Sequence, residues 1–124
     1  MKRLAPVLLA ALLLAGCTPL ERTAYNTVVA AKAFLDKEKA QHSECATVPA
    51  STVCTDLVKA TGAKDALIDA ITVYCSGPEF NNGGPCNAPQ KGTAAYDQAA
   101  AKLQSAIANY NQIASDLKTA TGGH

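Results

Sequence analysis

Tyr96, Leu103, Tyr110 and Leu117 recur at intervals of seven, and Ala100, Ile107 and Ala114 fill the places between them. Apolar residues alternately four and three apart line one face of an α-helix, whereas a half-buried strand would alternate every second residue. Two further stretches show the same period. From about residue 20 to 42, Ala24, Val28, Ala31 and Leu35 follow a four-three-four spacing, with Val29 and Phe34 on adjoining positions. From about residue 53 to 75 the seam is Leu57, Ala60, Leu67, Ile71 and Tyr74, with Lys64 occupying one seam position and Gly62 weakening the run.

The connections between these stretches are legible too. Pro49, Ser51 and Thr52 supply turn and N-cap chemistry before the second helix, and Ser76-Gly77-Pro78 stops it. Asn81-Asn82-Gly83-Gly84-Pro85 and Pro89 cannot continue a helix, and Thr93 after Gly92 is placed to cap the third. The expected fold is therefore all-α, an up-down-up three-helix bundle.

The N-terminus carries a different signal. Met1-Lys2-Arg3 is a short basic segment, and Leu4 to Ala15 is an apolar run interrupted only by Pro6. This run falls short of the roughly 20 apolar residues that a permanent membrane helix needs, and it ends in small residues suited to a signal peptidase. It closes on Leu14-Ala15-Gly16-Cys17, which resembles the lipobox of bacterial lipoproteins. The resemblance covers residues 1 to 17 alone and implies cleavage before Cys17, whose sulfur then carries diacylglycerol; the acyl chains of such proteins, palmitate among them, hold the chain to a membrane. Each buried methylene contributes about 0.8 kcal/mol, and two chains anchor stably where one is marginal. In the enterobacterial lipoproteins that the segment resembles, an aspartate after the cysteine favours inner-membrane retention; Thr18 here implies outer-membrane delivery. The expected organisation is a signal peptide over 1–16, a lipid-anchored domain over 17–120 and a frayed end over 121–124.

Loss of Lys2 and Arg3 leaves nine basic against ten acidic residues, a net charge of about −1 with neutral histidines. No basic patch is available to neutralise phosphates, and an exported chain does not meet nucleic acid as a partner.

Four cysteines follow Cys17: Cys45, Cys54, Cys75 and Cys86. An even number in a short exported chain reads as a disulfide framework with three possible pairings. Cys54 and Cys75 stand at opposite ends of the second helix, roughly 31 Å apart at 1.5 Å per residue. A disulfide requires Cα atoms within about 7 Å. The expected pairs are thus the local ones, Cys45 with Cys54 and Cys75 with Cys86, each closing a short loop and contributing about 2.5 to 3 kcal/mol in the chain-entropy model. Alanine-rich seams bury little area per residue, so a thin core benefits from such clips.

Groups able to do chemistry are few. His42 and His124 are far apart, so no histidine pair has metal-ligand spacing, and no metal or cofactor is expected. Asp65 and Asp69 read as a solvated helix face eased by Lys64. Neither a Gly-x-Ser-x-Gly nor a Cys-x-x-Cys is present. With no catalytic constellation, the chain is expected to be non-enzymatic.

Two recognition surfaces are expected. Tyr25, Tyr74 and Tyr96 fall at the membrane-proximal end of an up-down-up bundle, where they either close the core or line a small apolar pocket. The long clipped loop from Gly77 to Pro89 presents Glu79 and Phe80, both read as exposed. The preferred function is a membrane-anchored structural or protein-interaction module with an envelope protein as partner. The alternative is a periplasmic binding module for a small apolar or lipid ligand.

Overall fold

The computed structural model describes residues 19–47 and 51–122; the expected signal peptide, Cys17 and His124 lie outside the described residues. Three α-helices run in sequence: α1 (Pro19–Gln41), α2 (Thr52–Tyr74) and α3 (Ala94–Ala120). Two single 3₁₀ turns, Ser43–Ala46 and Glu79–Asn82, lie in the connections. Among the described residues there is no strand, and no helix is long and apolar enough to cross a membrane.

The caps expected from the sequence form. The Cys54 N–H donates to Ser51 Oγ at 3.1 Å, and the Tyr96 N–H donates to Thr93 Oγ1 at 3.1 Å, so each helix start has one of its orphan donors satisfied. Helix α2 ends in a paired reversal, with the Gly77 N–H bonded to the Thr72 carbonyl at 2.9 Å and the Ser76 N–H to that of Val73 at 3.3 Å. Ser76 takes the left-handed conformation, φ 58°, that such a reversal demands.

The three seams meet in one core. Ala24, Val28, Ala31 and Leu35 of α1 face Leu57, Ala60, Leu67, Ile71 and Tyr74 of α2, and α3 contributes Ala100, Leu103, Ile107, Tyr110, Ala114 and Leu117. One seam position differs from expectation. Ala63 is buried there, and Lys64 is half-buried with its ammonium 2.9 Å from Asp65. The two adjacent residues flank the same stripe, and the lower cost goes to burying the methyl group while the lysine carries its charge outward along its stem.

Long-range contacts give the helix directions. The Tyr74 hydroxyl at the end of α2 donates to Glu21 Oε2 at the start of α1, 3.2 Å away, and the Tyr74 ring lies 6.0 Å from that of Tyr96 at the start of α3. Lys118 near the end of α3 sits 5.3 Å over the Phe34 ring in the second half of α1. Helix α2 is therefore antiparallel to both neighbours, the up-down-up arrangement. It packs most extensively on α3, and α1 meets α3 along a much thinner contact.

Both local disulfides are present. Cys45 and Cys54 have Cα atoms 5.2 Å apart and Cys75 and Cys86 4.5 Å apart. The first ties the 3₁₀ turn after α1 to the first turn of α2. The second ties the end of α2 to the connection that leads to α3.

Candidate functional site

Because α1 and α3 both lean on α2 and barely touch one another, an open groove runs between them. Its outer stretch, roughly 500 Å³, is lined by Asn26, Ala30 and Phe34 from α1 and by Asn111, Ser115 and Lys118 from α3. A second stretch of roughly 590 Å³ continues toward the start of α1, between Pro19 and Leu20 on one side and Tyr96, Gln104 and Ile107 on the other. Thr23 and Asn111 line both stretches, so the two are continuous. Small and amide side chains keep the walls low, while Tyr110 and Phe34 give apolar footing. Burial raises the Tyr110 phenol above its ordinary pKa, so this ring presents a neutral hydroxyl beside the groove.

The three tyrosines gather at the expected end but serve different roles. Tyr74 is wholly buried, Tyr25 meets Phe80 edge-on with ring centroids 5.5 Å apart, and Tyr96 lines the groove. Tyr74 and Tyr25 thus act in closing the bundle, and Tyr96 is the one of the three on the groove wall.

The Gly77–Pro89 loop corrects one expectation. Glu79 is exposed, but Phe80 is buried at 7 % exposure, folded inward under Tyr25. A single phenylalanine in a polar loop above a thin core buries more apolar area by turning in than any neighbour could offer. The loop is also firmly held. Gly84 N–H donates to the Glu79 carbonyl at 2.7 Å, Asn81 Nδ2 to Thr72 Oγ1 at 3.0 Å, and Ser76 Oγ to the Asn87 carbonyl at 2.9 Å.

Two buried carboxylates were not anticipated. Glu21 is 4 % exposed and Glu38 is 0 % exposed, one near each end of α1. Glu21 accepts the Tyr74 hydroxyl, whereas neither oxygen of Glu38 has a hydrogen-bond partner. His42 Nε2 lies 3.5 Å from Glu38 Oε2, an ion-pair distance, and His42 Nδ1 lies 3.2 Å from Glu44 Oε2. The Glu44 carboxyl is held below its ordinary pKa, first by a backbone hydrogen bond and then by His42. A signal for both buried residues existed in the sequence. Extending the four-three spacing of Ala24 to Leu35 one step each way lands on Glu21 and Glu38.

Asp65 and Asp69 are exposed on α2, and Asp65 pairs with Lys64. No family model matches this chain, and no curated protein or solved structure is significantly similar to it.

Proposed function

We propose that this chain is an envelope lipoprotein, cleaved before Cys17 and held to the outer membrane by acyl chains on that sulfur, whose helical domain binds another envelope protein and catalyses nothing. The observation that carries the reading is the continuous groove between α1 and α3. It offers apolar footing from Phe34, Tyr110 and Ile107, together with amides and hydroxyls able to pair with a partner's polar groups. Only two residues separate Cys17 from Leu20, a span of at most about 11 Å across three links. The Leu20 end of the groove would accordingly sit close to the bilayer and the Phe34 end would point away from it.

A second reading rests on the membrane-proximal stretch alone. Its volume falls within the range of about 300 to 1,000 Å³ typical of small-ligand pockets, and Leu20, Tyr96 and Ile107 give it apolar walls. It would suit a small apolar or lipid ligand.

One experiment tests both. Photoreactive side chains replace Asn26 or Ser115 on the groove, and Lys59 on α2 as a control, in lipidated protein within intact envelopes. The mass of the purified chain should match residues 17–124 plus acyl groups, and one protein should crosslink from both groove positions and not from Lys59. An unlipidated mass overturns the anchor. Equal capture from Lys59 overturns the groove, and lipid adducts in place of protein adducts select the second reading.

A further inference from the structure

The two stretches of the α1–α3 groove make one channel with walls of equal length. Leu20 to Phe34 on α1 and Gln104 to Lys118 on α3 each rise roughly 21 Å at 1.5 Å per residue, about four helical turns. Because α2 is antiparallel to both, α1 and α3 run parallel to one another. The walls are low, with Thr23 and Ala30 on one side and Ala108 and Ser115 on the other. Between them Phe34, Tyr110 and Ile107 give apolar footing. A helix seated in such a trough would turn three packed helices into four.

The charge along the trough is one-sided. Two lysines line it, Lys91 in the stretch near the start of α1 and Lys118 at the far end, and no carboxylate lines either stretch. Both lysines are exposed, and neither forms an ion pair with a described residue. Lys118 is held at the rim, its ammonium 5.3 Å over the Phe34 ring. The whole chain has a formal net charge of only +1, so a face with two cations and no anion is a local feature. The amides and hydroxyls that make up the rest of the polar lining are neutral and do not select a partner by charge.

We propose that the partner presents an amphipathic helix of about four turns to this groove, its apolar stripe on Phe34, Tyr110 and Ile107 and carboxylates near both of its ends, paired with Lys91 and Lys118. The assignment rests on the groove being a protein-docking face, and it names the chemistry of what docks there. Removal of apolar surface from water supplies the affinity. The two ends set the register, because sliding the helix by one turn, about 5.4 Å, separates both pairs. A basic helix of equal hydrophobicity would bring like charges together at both ends and be turned away.

The probes are two synthetic peptides of about 15 residues with the same leucine and alanine stripe, one carrying glutamates at both ends and the other lysines. Binding to the full lipidated chain in zwitterionic nanodiscs is read by fluorescence anisotropy, with empty nanodiscs as the blank. The glutamate peptide should bind about tenfold more tightly than the lysine peptide, and the ratio should shrink as salt is raised. In K91E/K118E the preference should invert, with helicity by circular dichroism unchanged, since both side chains are exposed. Lys91→Glu alone leaves the Lys118 contact with Phe34 in place and should by itself reduce the preference. Equal binding of the two peptides, or a preference that survives these variants, overturns the proposal.

Crosslinking from Asn26 in envelopes separates this proposal from the docking reading beneath it. Ala30→Trp, at an exposed position on the groove wall, fills the trough. Loss of the protein adduct in both Ala30→Trp and K91E/K118E is the expected result. An adduct lost in Ala30→Trp but kept in K91E/K118E overturns the acidic helix and leaves the docking face standing. An adduct kept in Ala30→Trp overturns both.

Discussion

The two ends of the bundle are closed by local disulfides of similar reach, yet they are built on opposite principles. At the Cys75–Cys86 end, Tyr74, Phe80 and Tyr25 fill the space with rings, and the one buried carboxylate, Glu21, accepts a tyrosine hydroxyl. At the Cys45–Cys54 end no phenylalanine or tyrosine lines the groove beside the clip, and the buried carboxylate, Glu38, has no hydrogen-bond partner and lies 3.5 Å from His42 Nε2. The first end is apolar apart from Asn81 Oδ1, which is buried without a hydrogen-bond partner; the second holds a wholly buried carboxylate, Glu38, neither oxygen of which has one. A protein tolerates the second kind where polar groups serve something other than stability.

The largest expected effect breaks the aromatic end. Phe80→Ala removes a ring packed beneath Tyr25 and should lower unfolding free energy by about 3 to 5 kcal/mol in chemical denaturation. A loss below about 1 kcal/mol would mean that the loop does not close the core. At the other end the sign reverses. Glu38→Met replaces a buried carboxylate without hydrogen bonds by a side chain of similar length and should raise stability by about 1 to 3 kcal/mol. Destabilisation there would show that the His42 contact outweighs the desolvation cost.

Gly62, midway along α2, serves as the reference between the ends. A Cβ there meets nothing within 4 Å, so Gly62→Ala should gain about 1 kcal/mol from helix propensity alone, read by the same denaturation. The smallest effect concerns Glu44. Its lowered folded pKa contributes stability that is complete above the ordinary carboxylate range and is lost as pH falls through the folded value. His42→Ala removes one cause of that shift, so the fall in melting temperature from pH 6 to pH 3 should be slightly shallower in the variant. An identical slope would place the whole shift on the backbone hydrogen bond.

Much of this fold was legible before any coordinates. The seams of α1 and α3, the caps at Ser51 and Thr93, the stop at Ser76-Gly77 and both disulfide pairs follow from local rules: helical period, capping chemistry and the length of a helix set against the reach of a disulfide. The α1–α3 groove was not legible, because it depends on how unequally three helices share one core. Even where the period pointed inward, at Glu21 and Glu38, residue type argued against burial, since carboxylates are rarely buried.

By itself, then, the sequence determined three helices, their order and the bonds that clip their ends, since each of those is settled by neighbours within a few turns of chain. Only the tertiary structure decided that Phe80 turns inward, that Glu38 is enclosed beside His42, and that Glu44, Cys45 and Cys54 converge. Those outcomes depend on which distant surfaces compete for the same space, and no local period records that competition.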